Sequence, residues 1–436
     1  MLLKKIYLDK KDSAYKLKLG IWVYFFLLIF EGALRKWILP GLSTPLLIIR
    51  DPVALYLIIM AIKKRMFPVN IYTPAMVVVG AVSIFTAILF GHGNIVVAIY
   101  GARILLLHFP VIFIIGNVFS RADVIKVGKA TLWIAIPMTI LISLQFYSPQ
   151  SAWVNRGVGG DESGGGFSGA AGFFRPPGTF SFTNGTTAFY SFLAPFVLYF
   201  WLYPQYIKRW ILVAATVSML ASIPLSISRA LFFSVIVTVI FTFIAVSRKP
   251  TYLKRVITAT IGVIFAVLVL SQLSFFQTSI NAFTMRFEGA NESEGGLQSV
   301  LLDRYLGGMV GALTSSANFP FWGYGLGLGT NIGVQLVHGQ FPIAEGEWGR
   351  VIQEQGLILG ISVVLIRVGM SIKYFIYSYQ RLLISDLFPW ILLSNFLLNV
   401  PQAQWKQPTS LGFSVMIAGL LIASFNSSPK SAIKKN

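Results

Sequence analysis

Apolar runs about as long as a bilayer is thick recur along this chain, and no other feature restricts its fold so sharply. A helix needs roughly 20 apolar residues to cross the hydrocarbon core. By that measure twelve runs qualify, at 19–38, 45–62, 71–90, 95–118, 130–147, 185–203, 210–227, 229–247, 256–275, 350–371, 386–402 and 408–425. Backbone N–H and C=O groups in hydrocarbon must bond within their own segment, so each run is expected to be a helix. The expectation is an all-α polytopic membrane protein of about 12 transmembrane helices, with residues 1–436 forming a single integral domain.

Composition agrees. The 436 residues are 56% hydrophobic and 11% charged, against about 25% charged in a soluble domain. The stretch Met1–Lys18 is basic and has no apolar core of its own, so it is not expected to be a cleaved signal peptide. An even number of crossings puts the tails 1–18 and 426–436 on one side. The basic segments Lys63-Lys64-Arg65, Arg121–Lys129, Lys208-Arg209, Arg248–Arg255 and Arg367–Arg381 fall on that same side, which the positive-inside rule makes cytoplasmic.

Sorted by this topology, the 35 basic residues separate by type. Seventeen of the inner 24 are lysines, whereas nine of the outer 11 are arginines. Lysine suffices as an anchor, but the planar guanidinium fork is what bidentate binding of phosphate or carboxylate requires. Eleven of the 15 acidic residues are also outer, so the outer face is expected to carry the chemistry.

With no cysteine and three histidines, disulfides, thiolate metal sites and thiol nucleophiles are excluded and a His-rich metal site is disfavoured. No repeat, coiled coil or inverted-repeat transporter pattern is present. Nothing suggests nucleic-acid binding.

Two long outer loops stand out. The first, 148–184, is Gly/Ser-rich before Phe174-Arg175-Pro176-Pro177-Gly178-Thr179-Phe180, whose prolines and glycine should fix a turn beside Arg175. The second, 274–350, has helical apolar spacing over 297–315, expected to be a short amphipathic helix, and ends in Ala344-Glu345-Gly346-Glu347-Trp348-Gly349-Arg350. Glu347, Arg350 and Glu354 are spaced i, i+3, i+7 and should share a helix face. Charges inside spans, at about 2.5 to 3.5 kcal/mol each on insertion scales, need partners or a polar cavity. Glu31 with Arg35, and Arg50-Asp51, read as neighbouring helices neutralising one another, whereas Arg103 and Arg229 are placed to line an outer cavity. Tyr324-Gly325-Leu326-Gly327-Leu328-Gly329 reads as a turn that lets backbone approach another segment rather than as a nucleotide loop.

In their order and placement these motifs resemble the O-antigen ligase and O-antigen polymerase superfamily: the Phe174–Phe180 segment, Ser228-Arg229 between spans seven and eight, Gly325–Gly329 late in the second loop, and Glu354-Gln355-Gly356 with Gly360 opening span ten. Where better-known ligases carry a histidine eleven residues before a glycine, this chain has Glu345 before Gly356, which favours the polymerase branch. The resemblance implies a GT-C-like fold in a bacterial inner membrane. It implies an inverting glycosyltransferase, without metal or cofactor, that polymerises undecaprenyl-diphosphate-linked oligosaccharide at the outer face. Donor and acceptor would both be polyprenyl-diphosphate-linked, membrane lipid would surround the site, and a chain-length regulator is a possible protein partner. Arg175, Arg229, Arg286 and Arg304 would bind diphosphate, with Arg103 and Arg350 as second choices. Glu347 or Glu345 would be the base, with His338 as the alternative. The rival expectations are a ligase transferring glycan to lipid A core or protein, and a lipid-linked oligosaccharide flippase.

Overall fold

A computed structural model of the protein describes residues 2–247, 250–252, 257, 262, 268–269, 271–294, 311, 319–337, 341 and 343–426. Among the described residues helices dominate, and eight are long and apolar enough to cross a membrane. In chain order the principal elements are α1 (Leu2–Ala33), α2 (Arg50–Lys63), α3 (Tyr72–Leu89), α4 (Ile95–Arg103), α5 (Phe109–Val118) and α6 (Arg121–Tyr147). A two-stranded hairpin follows, β1 (Phe167–Ser168) and β2 (Phe174–Arg175). Next come α7 (Thr183–Leu202), α8 (Arg209–Leu225), α9 (Arg229–Ser247), α10 (Ser274–Glu294), α11 (Asn331–Leu336), α12 (Glu347–Leu383), α13 (Leu387–Asn399) and α14 (Pro408–Ser424). Eleven of the twelve apolar runs expected from the sequence lie in these helices; about half of the run at 256–275, and nearly all of the amphipathic helix expected at 297–315, fall outside the described residues. The start of the second loop differs from expectation, because residues 274–294 form α10, which packs on α8 and α9.

α14 sits at the centre, against α5, α7 and α13, and its apolar side chains from Leu411 to Ala423 are almost all buried. Small residues set these approaches. A Cβ on Gly419 would lie 2.6 Å from Ile115 Cβ, and one on Gly116 would lie 2.4 Å from Ile422 Cγ2. Such close backbone packing is how helices associate where lipid supplies no hydrophobic drive. On the opposite, lipid-facing sides, large apolar side chains such as Ile59, Phe85 and Leu365 remain exposed, as a hydrocarbon solvent allows.

Span ten is not one straight helix. Gly356, at φ 78° and ψ 174°, breaks α12 into limbs 347–355 and 357–383. A Cβ on Gly360 would lie 2.5 Å from Ile352 Cα, and Glu347 reaches Arg367. Both contacts join residues nearly equidistant from Gly356, so the short limb folds back antiparallel along the long one. At 1.5 Å per residue, Glu347 and Arg367 lie about 15 Å from the break, roughly half the thickness of a bilayer core.

The helices α13 and α14, at 13 and 17 residues, rise only about 20 and 26 Å and fall short of a full ~30 Å core. Their connector, residues 400–407, packs against both limbs of α12. Trp348 donates its Nε1–H to the Pro401 carbonyl, and Arg367 donates to the carbonyls of Val400 and Ala403 while its guanidinium lies 3.9 Å from the Trp405 ring centroid. Non-helical backbone at this depth is tolerated because protein, not lipid, surrounds it.

Candidate functional site

Three arginines far apart in sequence converge at one end of the bundle. Arg175 is the last residue of β2, where it pairs in register with Phe167. The hairpin is held down by Phe173, stacked on Phe146 at 4.7 Å and nearly parallel, and by the Gly169 N–H bonded to the Phe173 carbonyl. Arg229 is the first residue of α9. The turn before it carries Ile227 at φ 47°, a left-handed conformation costly for a β-branched residue. Ser228 braces that turn, accepting hydrogen bonds from Thr187 Oγ1 at 2.9 Å and from the Leu231 N–H at 3.3 Å.

Arg286 is exposed on α10. The buried Phe276, Ser279 and Ala282 lie on the same side of that helix at three-residue spacing. Its neighbours Phe283 and Phe287 pack edge-on against Phe232, just past Arg229, at 5.9 and 5.8 Å. Arg175 feels the other two: burial first, then the charges of Arg286 and Arg229, lower its guanidinium below its ordinary pKa. Arg175 Nε is buried without a hydrogen-bond partner among the described residues. Such crowding of like charge opposes folding unless an anion is drawn in, and the α9 N-terminus adds its own positive potential.

The closing signature of the second loop has a different character. Glu347 Oε1 accepts from Arg350 Nη2 at 3.0 Å and Arg367 Nη1 at 2.7 Å, and its Oε2 accepts from Arg350 Nε at 3.1 Å. Arg350 Nη1 also donates to Glu354 Oε2 at 2.7 Å, and Glu354 accepts the N–H groups of Gly327 and Gly329. All four side chains are buried. Two carboxylates and two guanidinium groups thus close a neutral network, in which Glu347, Arg350 and Arg367 line a small internal void with Trp405 and Gln355. The i, i+3, i+7 spacing does put Glu347, Arg350 and Glu354 on one face, but the face turns inward to Arg367. An arginine expected among the basic anchors is instead a buried counter-ion.

The glycine-rich turn wraps this network. Gly327, at φ 92°, lies so close to α4 that a Cβ there would sit 2.3 Å from the Val97 carbonyl oxygen. The Tyr324 and Gly325 N–H groups donate to the carbonyls of Gln353 and Glu354. This is the close backbone approach expected of the segment.

A second set of charges lies at the junction of α1, α2 and the α4–α5 region. Arg103 Nη1 bonds both Asp51 oxygens, at 3.0 and 2.8 Å, and its Nη2 donates to the Tyr100 hydroxyl. His108 bridges the same Asp51 (2.9 Å) and the Tyr24 hydroxyl (3.0 Å). Arg35 Nη1 donates to Glu31 at 3.1 Å and to Ser181, and Arg50 Nε lies 3.8 Å from Glu31. Neutralisation thus holds for Glu31, Arg35 and Asp51, between helices for Asp51 with Arg103 and within one helical segment for Glu31 with Arg35. Arg103, expected to line an outer cavity and bind diphosphate, has its fork engaged by Asp51.

Among the site residues expected from the sequence, the structure therefore gathers Arg175, Arg229 and Arg286, and engages Arg103, Arg350 and Glu347 with internal partners. Glu345 is exposed, with its backbone carbonyl accepting from Gln404 Nε2. Arg304 and His338 lie outside the described residues. Sequence reasoning missed Arg367. It lies four residues from the end of the run 350–371, where an arginine reads as a basic anchor. No family model matches the chain, and no curated protein matches it.

Proposed function

We propose that the protein is a glycosyltransferase acting on lipid-diphosphate-linked oligosaccharide, of the polymerase type, with its site on the face bearing the two long loops. One observation carries the reading: Arg175, Arg229 and Arg286, from three separate segments, crowd together where a polyanion would relieve their repulsion. A diphosphate leaving group fits because its charge grows as the glycosidic bond breaks, and preorganised cations stabilise that growth. In the step itself, an acceptor hydroxyl oxygen bonds to the anomeric carbon, the bond from that carbon to the diphosphate oxygen breaks, and its electron pair leaves with the diphosphate.

The hydroxyl proton needs a base. Glu347 is the counter-ion of two arginines, so we assign the base role to the exposed Glu345 and a scaffold role to Glu347. On this reading the basic ends face the cytoplasm and about twelve helices cross a bacterial inner membrane.

The test is reconstitution with a purified undecaprenyl-diphosphate-linked repeat unit. A ladder of product lengths without any other acceptor is the expected result. Arg175→Ala or Arg229→Ala should lower turnover on the order of 10²–10³, the scale for removing one donor from a developing charge. A stably inserted protein whose activity survives both substitutions would refute the assignment.

A further inference from the structure

Lys36 is a buried basic group that the proposed chemistry does not use. It is 1% exposed and forms no ion pair among the described residues. It lies in the π-helical turn Leu34–Ile38 that follows α1. Adjacent side chains on an α-helix diverge by about 100°, yet Arg35 and Lys36 are both buried here, and π turns of this kind are frequent at functional sites. Burying a basic side chain without a carboxylate is costly, so the contact it does make is informative: Nζ donates to the Gly178 carbonyl at 2.7 Å.

A second side chain grips the same glycine. Gln145, on α6 and equally buried, accepts the Gly178 N–H at 2.7 Å and donates to its carbonyl at 3.2 Å. Thr186 Oγ1, on α7, adds a bond of 3.0 Å to the Pro176 carbonyl. Gly178 is thereby tied to two elements of the bundle, and the turn to a third.

Between this grip and the arginine cluster stand two prolines. Each locks its own φ and keeps the residue before it out of the helical region, so Arg175-Pro176-Pro177 is a stiff extended strut. At about 3.1 Å per residue it sets Arg175 about 9 Å from Gly178. The other side of Arg175 is held less firmly. The hairpin strands are two residues each, a lone hairpin is marginal in water, and the stack of Phe173 on Phe146 pins a single point about which it can swing. Repulsion from Arg229 and Arg286 favours such a swing.

We propose that Lys36 and Gln145 are positioning residues: by gripping Gly178 they hold Arg175, through the proline strut, where it receives diphosphate. The inference rests on the reading of Arg175 as a diphosphate ligand. A group already held in its bound geometry spares the cost of ordering it when the ligand arrives.

The test exploits a difference between the two grips. Lys36→Met deletes a donor and a basic group, whereas Gln145→Met deletes hydrogen bonds alone. With the full chain in one detergent, calorimetry measures binding of inorganic pyrophosphate and mass spectrometry measures backbone hydrogen exchange over residues 169–181. Both variants should bind pyrophosphate more weakly by similar factors, on the order of 10–100-fold, as for outer partners that orient metal ligands. Both should also exchange faster than wild type over 169–181. Thr186→Val, a milder change on the same turn, should weaken binding in the same direction, and it carries the test if the other two do not fold. Wild-type affinity with only a lowered Tm would make the grip merely structural, and weakening in Lys36→Met alone would make Lys36 act by its charge; either overturns the proposal. Absence of pyrophosphate binding by wild type would instead refute the diphosphate reading, whereas unchanged exchange in the variants overturns the grip whether or not pyrophosphate binds.

Discussion

Replacing Glu347 by glutamine separates scaffold from catalysis most directly. In the native network two carboxylates balance two guanidinium groups, all buried. The glutamine keeps one oxygen to accept from Arg350 or Arg367. However, its amide NH₂ replaces Oε2 and faces the Arg350 Nε–H, donor against donor. Arg350 still has Glu354, whereas Arg367 keeps the amide oxygen and the carbonyls of Val400 and Ala403 but loses its counter-charge. The network then carries one uncompensated buried positive charge, a change that costs about 3–5 kcal/mol.

At roughly 2 cal/mol/K of unfolding entropy per residue, a chain of this length should lose about 4 °C in apparent Tm, and more if only part of it unfolds cooperatively. Arg367→Met alone should destabilise similarly, because Glu347 loses its 2.7 Å partner. The double variant restores neutrality, so the two losses should not add; the coupling expected for residues in one network is about 0.5–3 kcal/mol. The assay is thermal unfolding in a fixed detergent for wild type, both single variants and the double. If Glu347→Gln melts with wild type, or the double variant loses the full sum of the singles, Glu347 is not the counter-ion described here.

The remaining expectations concern other parts of the molecule. Gly356→Ala should lower stability and yield of folded protein by several kcal/mol, since the position needs φ 78° and an added Cβ would lie 2.2 Å from the Phe321 carbonyl oxygen; thermal unfolding and gel filtration measure it. Inorganic pyrophosphate should raise the apparent Tm of wild type but not of Arg175→Ala, and the shift should shrink as salt rises, because the anion screens three converging cations. Without pyrophosphate, Arg175→Ala should melt no lower than wild type, as like-charge repulsion is relieved. Asp51→Asn should destabilise by about 3–5 kcal/mol, because Arg103 loses its counter-charge and only one oxygen remains to serve Arg103 and His108, and adding Arg103→Leu should recover part of the loss in the same melting assay.

Length and hydropathy were enough to specify a helical membrane protein, because apolar runs in hydrocarbon have few ways to satisfy their backbone. The same holds for local pairs. Glu31 with Arg35 and Glu347 with Arg350 are neighbours by helical periodicity alone, and Gly325–Gly329 announced a close approach through its lack of side chains. Three things depended on tertiary packing. Arg367 was indistinguishable from a terminal anchor until Gly356 folded the chain back and brought it to Glu347, twenty residues away. Arg103 had the residue type of a cavity arginine, yet Asp51 from another helix occupies its fork, so pairing rather than position set its role. The gathering of Arg175, Arg229 and Arg286 arises only when a hairpin, a strained turn and α10 meet, since sequence carries residue types and periodicities while convergence across 111 positions is fixed by packing alone.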